Sequence, residues 1–459
     1  MSNLSLLLLL LGLLVVGYQI GLHRSRGLVR GATGERLHSR PQYHGVVVGL
    51  WAVGPALILV VIWQLLAPGV IEQALVSQLQ DVQPGLSDQE QRVALRRIDN
   101  LASNKGLVMG AHDWELTAAQ TLSAMRKTSG WILAGLSATL IALGLLFSLS
   151  RMSPSLRARN QVEKVVQGVL MISSGVAILT TIGIVLSMVG ETLKFFTFIS
   201  PLDFFLGTTW QPVFHVTETS GYGHYGMLPL LGGTVLVAAI ALLFAIPVGL
   251  LAAIYLSEYA PGRVRSFAKP ALEVLAGIPT IVYGVFALVT VGPFLASVGD
   301  MVGLHIRATS ALTAGLVMGI MLIPFISSLS DDIITQVPKA LRDGSLGLGA
   351  TKSETIRKVV LPAALPGIAG AVLLAASRAV GETMIVVLAA GNAPVLTANP
   401  FEAVSTMTVT IVNQLTGDSD FAGPQSLVAF ALGLTLFAIT LVMNIVALAI
   451  VRKYREQYE

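Results

Sequence analysis

The chain has 459 residues, of which 54% are hydrophobic and only 12% charged, with 29 Lys and Arg set against 25 Asp and Glu. A soluble globular domain carries about 25% charged residues, so this chain has too little polar surface to keep so much apolar sequence in water, and its mean hydropathy is +0.76. These figures exclude disorder and collagen, and the absence of Cys excludes disulfide scaffolds, zinc–thiolate centres and iron–sulfur clusters. A polytopic membrane protein remains. Its net charge of +4 then reads as basic cytoplasmic loops, not as a nucleic-acid surface.

A helix needs about 20 apolar residues to cross roughly 30 Å of hydrocarbon. Nine stretches qualify, at about 4–22, 45–67, 130–149, 165–189, 227–256, 271–297, 309–330, 363–391 and 427–451. Their apolar residues run continuously, as in buried helices; barrel strands alternate. The first has no basic residues ahead of it and no A-x-A site behind it, so it reads as a retained span, not a signal peptide.

Basic residues cluster in alternate loops. They are Arg24 to Arg40, then Arg151 to Lys164, Arg263 to Lys269, Lys339 to Lys358, and the tail Arg452, Lys453 and Arg455. The short intervening loops carry only Lys194 and Arg307. The positive-inside rule therefore predicts an outside N-terminus and a cytoplasmic C-terminus.

Two regions follow. Residues 1–150 are expected to form an N-terminal extension of three spans, interrupted by a polar segment at about 68–129. There a Pro84–Gly85 turn precedes an amphipathic helix beginning Asp88-Gln-Glu-Gln-Arg-Val-Ala-Leu-Arg-Arg97. The segment reads either as a docking surface or as a solvated insertion. Residues 151–459 hold the other six spans.

The cytoplasmic loop at about 331–362 differs from the rest in length and pattern. A short amphipathic helix is expected near 351–358, with Gly344, Gly347 and Gly349 forming the turn before it and Pro362 ending it at the membrane surface. Such a helix between two spans is a rigid lever. Asp331 and Asp332 read as a solvated helix end, with no metal site. Within the span at 363–391, Arg378 and Glu382 stand four apart, which places them on one helix face where they can pair. Ionised groups at membrane depth cost about 2.5–3.5 kcal/mol. This pair reads either as part of a substrate pathway, with Arg378 as a forked donor for an oxyanion, or as a structural clamp. Glu273 reads as an interfacial side chain, and Gly277-Ile278-Pro279-Thr280 as a helix break.

The loop resembles the E-A-A-x3-G-x9-I-x-L-P signature of ABC importer permeases. Asp343-Gly344-Ser345, Gly349, Val359 and Leu361-Pro362 stand in register, with Asp for Glu, Gly-Ser for Ala-Ala and Val for Ile. Together with Glu273 to Gly284, Phe204 to Pro212 and Arg378-Ala-Val-Gly-Glu-Thr383-Met-Ile385, it is similar to the C-type permease family of bacterial phosphate-specific ABC transporters over roughly 160–455.

The resemblance implies an all-α polytopic membrane protein, with a six-helix permease core behind the three-helix extension, in the bacterial inner membrane. It implies a pathway for inorganic phosphate shared with a homologous A-type permease and lined by Arg378, Glu382 and Thr383. It also implies two copies of a cytoplasmic ATPase carrying ATP and Mg, a periplasmic phosphate-binding protein, and contact with membrane lipid. The chain itself has no G-x-x-x-x-G-K-[ST] loop and is expected to be no enzyme and to bind no cofactor. The alternatives are a permease for sulfate, molybdate or phosphonate, an ion-coupled secondary transporter, and a membrane sensor of phosphate.

Overall fold

The computed structural model describes residues 3–31, 37–82, 88–103, 112–212, 223–417 and 423–455. The Pro84–Gly85 turn lies outside them. Among the described residues nine helices are long and apolar enough to cross a membrane. Apart from one small hairpin and a single bridge between Gly391 and Val404, all regular structure among the described residues is helical, as the apolar runs require. The backbone packs into two compact units, Met1–Ile178 and Leu179–Glu459. The division falls inside a long helix, not at residue 150.

The first unit contains α1 (Asn3–Gly31), α2 (Pro41–Val82), α3 (Asp88–Ser103), α4 (Asp113–Ser150) and the first half of α5 (Ala158–Phe195). Helices α1 and α2 approach closely through glycines spaced four apart, Gly17 and Gly21 against Gly45 and Gly49. A Cβ on Gly21 would stand 2.8 Å from Val48 Cβ, so only small residues allow this membrane-helix contact. Two separate cores hold the unit. Leu10, Ala52, Val53, Ala56 and Ile141 form one, and Leu75, Leu79, Ile98, Ala119 and Leu122 form the other. The second core corrects the view of 68–129 as a polar break. Helices α2 and α4 continue through that segment, and α3 lays its apolar stripe across them.

The second unit begins in α5 and continues with α6 (Pro201–Leu206), the hairpin β1 (Trp210–Pro212) and β2 (Gly223–Tyr225), and α7 (Leu228–Ile254). The antiparallel hairpin pairs Trp210 with Tyr225, and both rings join Phe195 and Phe204 in an aromatic cluster. Burial there pushes the Tyr225 hydroxyl pKa up to about 12. A π-helical turn at Tyr255–Tyr259 leads to α8 (Gly262–Ala276), then α9 (Thr280–Phe286), a π turn at Ala287–Val291, α10 (Gly292–Met301) and α11 (Ala311–Gln336). Next come α12 (Lys339–Gly347), α13 (Lys352–Thr355), a π turn at Ile356–Val360, α14 (Leu361–Val380), α15 (Met384–Ala389), α16 (Met407–Gly417) and α17 (Pro424–Arg455).

The main core of this unit joins α7, α9, α11, α14 and α15 through residues such as Val237, Ala241, Tyr283, Met318, Leu322, Ala375 and Ile385. In this unit the bounds of two expected spans change most. The one assigned to 271–297 starts at Thr280, because α8 is a separate amphipathic helix that ends at Gly277. The one assigned to 363–391 starts at Lys352 and ends at Val380, where Gly381 breaks the helix.

Candidate functional site

Two groups of residues singled out by sequence lie in the second unit, one in the segment after α11 and one at the helix breaks before α9 and α15. The first is the loop between α11 and α14. Asp343, Gly344 and Ser345 lie within α12, so Gly344 and Gly347 are helical and not part of a turn. The turn falls on Gly349 alone, at φ +86°, a left-handed conformation that costs a side-chain-bearing residue about 1–2 kcal/mol. Thr351 then caps α13, accepting from the Glu354 amide while the Glu354 carboxylate accepts from the Thr351 amide.

Pro362 does not end the helix, as the sequence reading expected. Its missing N–H and bulky ring are accommodated at the start of α14 by the π turn just before it, where the Leu361 amide donates back to Ile356. The chain therefore passes from α13 into the membrane helix without interruption. Val360 is fully buried, with Leu361 packed beside it, against Ala253, Ile334 and Ala364.

Several contacts fix this loop to neighbouring helix ends. Arg342 donates to the Ile334 carbonyl at 2.7 Å and pairs with Glu258 at 3.0 Å. Ser345 and Thr355 join α12 to α13 through their hydroxyls, 3.0 Å apart. The Lys352 ammonium lies 5.1 Å from the Tyr259 ring centroid. Leu348, at the tip, is 91% exposed, an apolar residue presented where a protein partner can cover it.

Beside the loop, Asp331 is no solvated helix end. It is buried and accepts from Arg265 at 3.0 and 3.1 Å and from Lys269 at 2.9 Å, while Asp332 takes a second Lys269 bond at 3.1 Å. The hydrogen bond to Asp331 is the main reason the Lys269 pKa rises above its usual value. Sequence reading missed Glu258, Arg265, Arg342 and the pairing of Asp331. The available signal was the basic character of 263–269 and the acids at the end of the second long apolar run after it, but 62–84 residues separate the partners.

The second group lies where two helices break. Helix α8 ends at Gly277 and α9 begins after Pro279, as the Gly-Ile-Pro-Thr sequence implies. Tyr283 donates across that break to the Leu275 carbonyl at 2.9 Å. The other break, at Gly381, separates α14 from α15. The two post-break helices pack together. A Cβ on Gly284 would come within 2.9 Å of the Met384 carbonyl, so α9 rests directly on the α15 backbone.

Here the expected Arg378–Glu382 pair is not made. Because α14 stops at Val380, the two residues no longer share a helix face. Glu382 Oε1 accepts from the amides of Thr383 at 3.1 Å and Met384 at 3.0 Å, and so caps α15. Thr383 is the cap residue of α15, and its hydroxyl donates to the Gly381 carbonyl at 3.3 Å. Thr408, just inside α16, donates to the Glu382 carbonyl at 2.9 Å. Arg378 is exposed on the surface of the chain, its guanidinium 5.8 Å from the Phe325 ring centroid. No ion pair reaches it among the described residues.

Two family models match the chain. One, described as a phosphate ATP-binding cassette transporter, covers residues 6–180. The other, described as a binding-protein-dependent transport system inner membrane component, covers residues 245–456. Among curated relatives, the probable ABC transporter permease protein YqgH of Bacillus subtilis is 35% identical over 55% of this chain and 77% of its own length. The phosphate transport system permease protein PstC of Mesorhizobium japonicum is 36% identical over 53% of this chain and 76% of its own. PstC 1 of Mycobacterium tuberculosis is 36% identical over 55% and 82%. The extension, outside the sequence resemblance, is thus itself matched by a phosphate-transporter family model. With breaks, loop signature and nine spans in place, the chain belongs to the PstC-type family of phosphate ABC transporter permeases, multi-pass proteins of the bacterial inner membrane.

Proposed function

We propose that the chain is a permease subunit of an ATP-driven phosphate importer and forms the pathway with a homologous A-type permease. The observation that carries this reading is Arg378. A guanidinium roughly 24 Å up α14 from Pro362, at 1.5 Å per residue, lies within the thickness of the hydrocarbon core. It is exposed and has no carboxylate partner among the described residues. A charge in that position requires a polar path or an apposed protein surface. The same unpaired fork suits a tetrahedral oxyanion. Because Glu382 is occupied with backbone amides, it leaves the Arg378 charge available, and the clamp reading loses its support.

At the other end, α12 and α13 are the lever. Two cytoplasmic ATPase subunits would supply ATP and Mg, one of them covering Leu348 and the Gly349 turn. Its motion would enter the membrane through α13 and α14, and through Arg342 into the ends of α7 and α11. The orientation this requires, with an outside N-terminus and the loop at 331–362 in the cytoplasm, agrees with the distribution of basic residues. A periplasmic binding protein would deliver phosphate on the opposite side.

Vesicles holding the chain with its permease and ATPase partners test the reading. Uptake of labelled phosphate is expected only with ATP, and sulfate in excess is expected not to suppress it. Uptake driven by a proton gradient without ATP would overturn the reading. In the same vesicles, Gly349→Val is expected to lower phosphate moved per ATP hydrolysed by about tenfold, since it sets a strain of about 1–2 kcal/mol against the turn. The space around Gly349 is open, so an unchanged ratio would count against the turn's conformation as the critical feature.

A further inference from the structure

The two cores of the first unit do not meet. Between them, along residues 63–72 of α2 and 126–133 of α4, the helices enclose a cavity of about 690 Å³ that is closed on a third side by α3. An apolar cavity of about 570 Å³ opens from the same stretch, sharing Trp63, Ala67 and Ile71 as its wall. At this level Trp63 donates to Ser129 Oγ at 3.0 Å, and the side chains around that link leave both cavities unfilled. The surrounding surface is strongly apolar, with Leu65 76%, Val70 64% and Trp131 77% exposed. Exposed Leu and Val with a Trp mark the border between hydrocarbon and headgroups.

The larger cavity is graded along its length. Trp63, Ala67 and Leu133 line the end nearer the membrane core, and Glu72, Arg96, Asp99 and Arg126 line the other. Asp99 and Arg126 are bonded to each other, and Arg126 also donates to Ser103. That leaves one cation and one anion, Arg96 and Glu72, facing the cavity with no ion-pair partner among the described residues. A free inorganic anion would meet Glu72 and Asp99 as repelling neighbours, and an anionic lipid would leave Glu72 unmatched. A headgroup carrying both a phosphate and a primary ammonium matches both charges, while its acyl chain fills the apolar end.

We propose that this cavity is a binding site for a zwitterionic, amine-headed phospholipid of the leaflet next to α3, with its phosphate on Arg96 and its ammonium on Glu72. Such a lipid would complete the packing between the two cores and anchor the extension at the membrane border. The inference concerns this unit alone and stands whether or not Arg378 meets the transported anion.

The test purifies the full chain from micelles holding equal amounts of phosphatidylethanolamine and phosphatidylglycerol with identical acyl chains. Retained lipid is then counted by mass spectrometry. Phosphatidylethanolamine is expected to be enriched about fivefold, the yield of two partly exposed charge contacts. The double variant R96Q/E72Q is expected to bring the two lipids to parity. Both side chains are exposed, so the helix cores stay intact; if the double variant cannot be purified, R96Q alone is expected to give a partial loss. Three results would each overturn the proposal: no enrichment in the parent chain, enrichment unchanged in the variants, or displacement of the lipid by millimolar inorganic phosphate.

Discussion

Arg378→Gln is expected to reduce ATP-driven phosphate uptake by about ten- to a hundredfold, the loss of one charge-assisted contact of about 1.5–3 kcal/mol, while the chain still assembles with its partners. The argument rests on what Arg378 does not do. It forms no ion pair among the described residues, and its guanidinium lies over the Phe325 ring, so its charge contributes little to holding this chain together. Removing it should leave the fold and the yield in the membrane unchanged. Glu382→Gln should behave differently. The amide oxygen can still accept from the Thr383 and Met384 backbone, so uptake should fall by much less than for Arg378→Gln. Equal losses for both variants would restore the pair as the functional unit; normal uptake by Arg378→Gln would remove Arg378 from the pathway.

Asp331→Ala is expected to destabilise the second unit by about 3 kcal/mol, the usual range for removing one partner from a buried ion pair. Asp331 is 2% exposed and neutralises Arg265 and Lys269, whose side chains remain about one-third exposed; solvent around those cations keeps the loss at the low end of the range. The contact ties α8 to the C-terminal end of α11, next to the joint that Arg342 makes with Glu258. Denaturation of the purified chain in mixed micelles measures the effect, and a loss below about 1 kcal/mol, typical of an exposed pair, would refute it.

The pH dependence of that loss has a definite sign. The Lys269 pKa is raised, chiefly by its hydrogen bond to Asp331. The stability it contributes is therefore complete below the ordinary lysine value of 10.5 and disappears only as pH rises through the raised value. Between about pH 6 and 9 the deficit of Asp331→Ala should be constant, since Lys269 stays charged throughout.

The two variants probe different physical situations that look alike in the sequence. Each removes a charged residue near the C-terminal end of a long, mostly apolar helix, Asp331 on α11 and Arg378 on α14. One charge is enclosed by opposite charges at a helix end, and the other is left open on a helix surface. Burial and partner geometry set these apart, and neither is encoded in the spacing around the residue itself.

The sequence by itself determined the class of protein, because apolar content and the sign of loop charges act through the solvent and need no tertiary contact. It located nine spans, the amphipathic α3, the break at Gly277–Pro279 and the loop built around Gly349 and Leu361-Pro362, all local consequences of hydropathy, missing donors and backbone freedom. Only the tertiary structure decided the rest. The Arg378–Glu382 pair assumed an unbroken helix, and a single Gly381 with a carboxylate capping α15 changed the geometry on which the i, i+4 rule depends. Asp331 found its cations on a helix more than 60 residues earlier. The polar segment at 68–129 became a second core once α2 and α4 were seen to continue through it and meet α3. Ion pairs, caps and cavities depend on which surfaces meet, and a chain shows that only after it has packed.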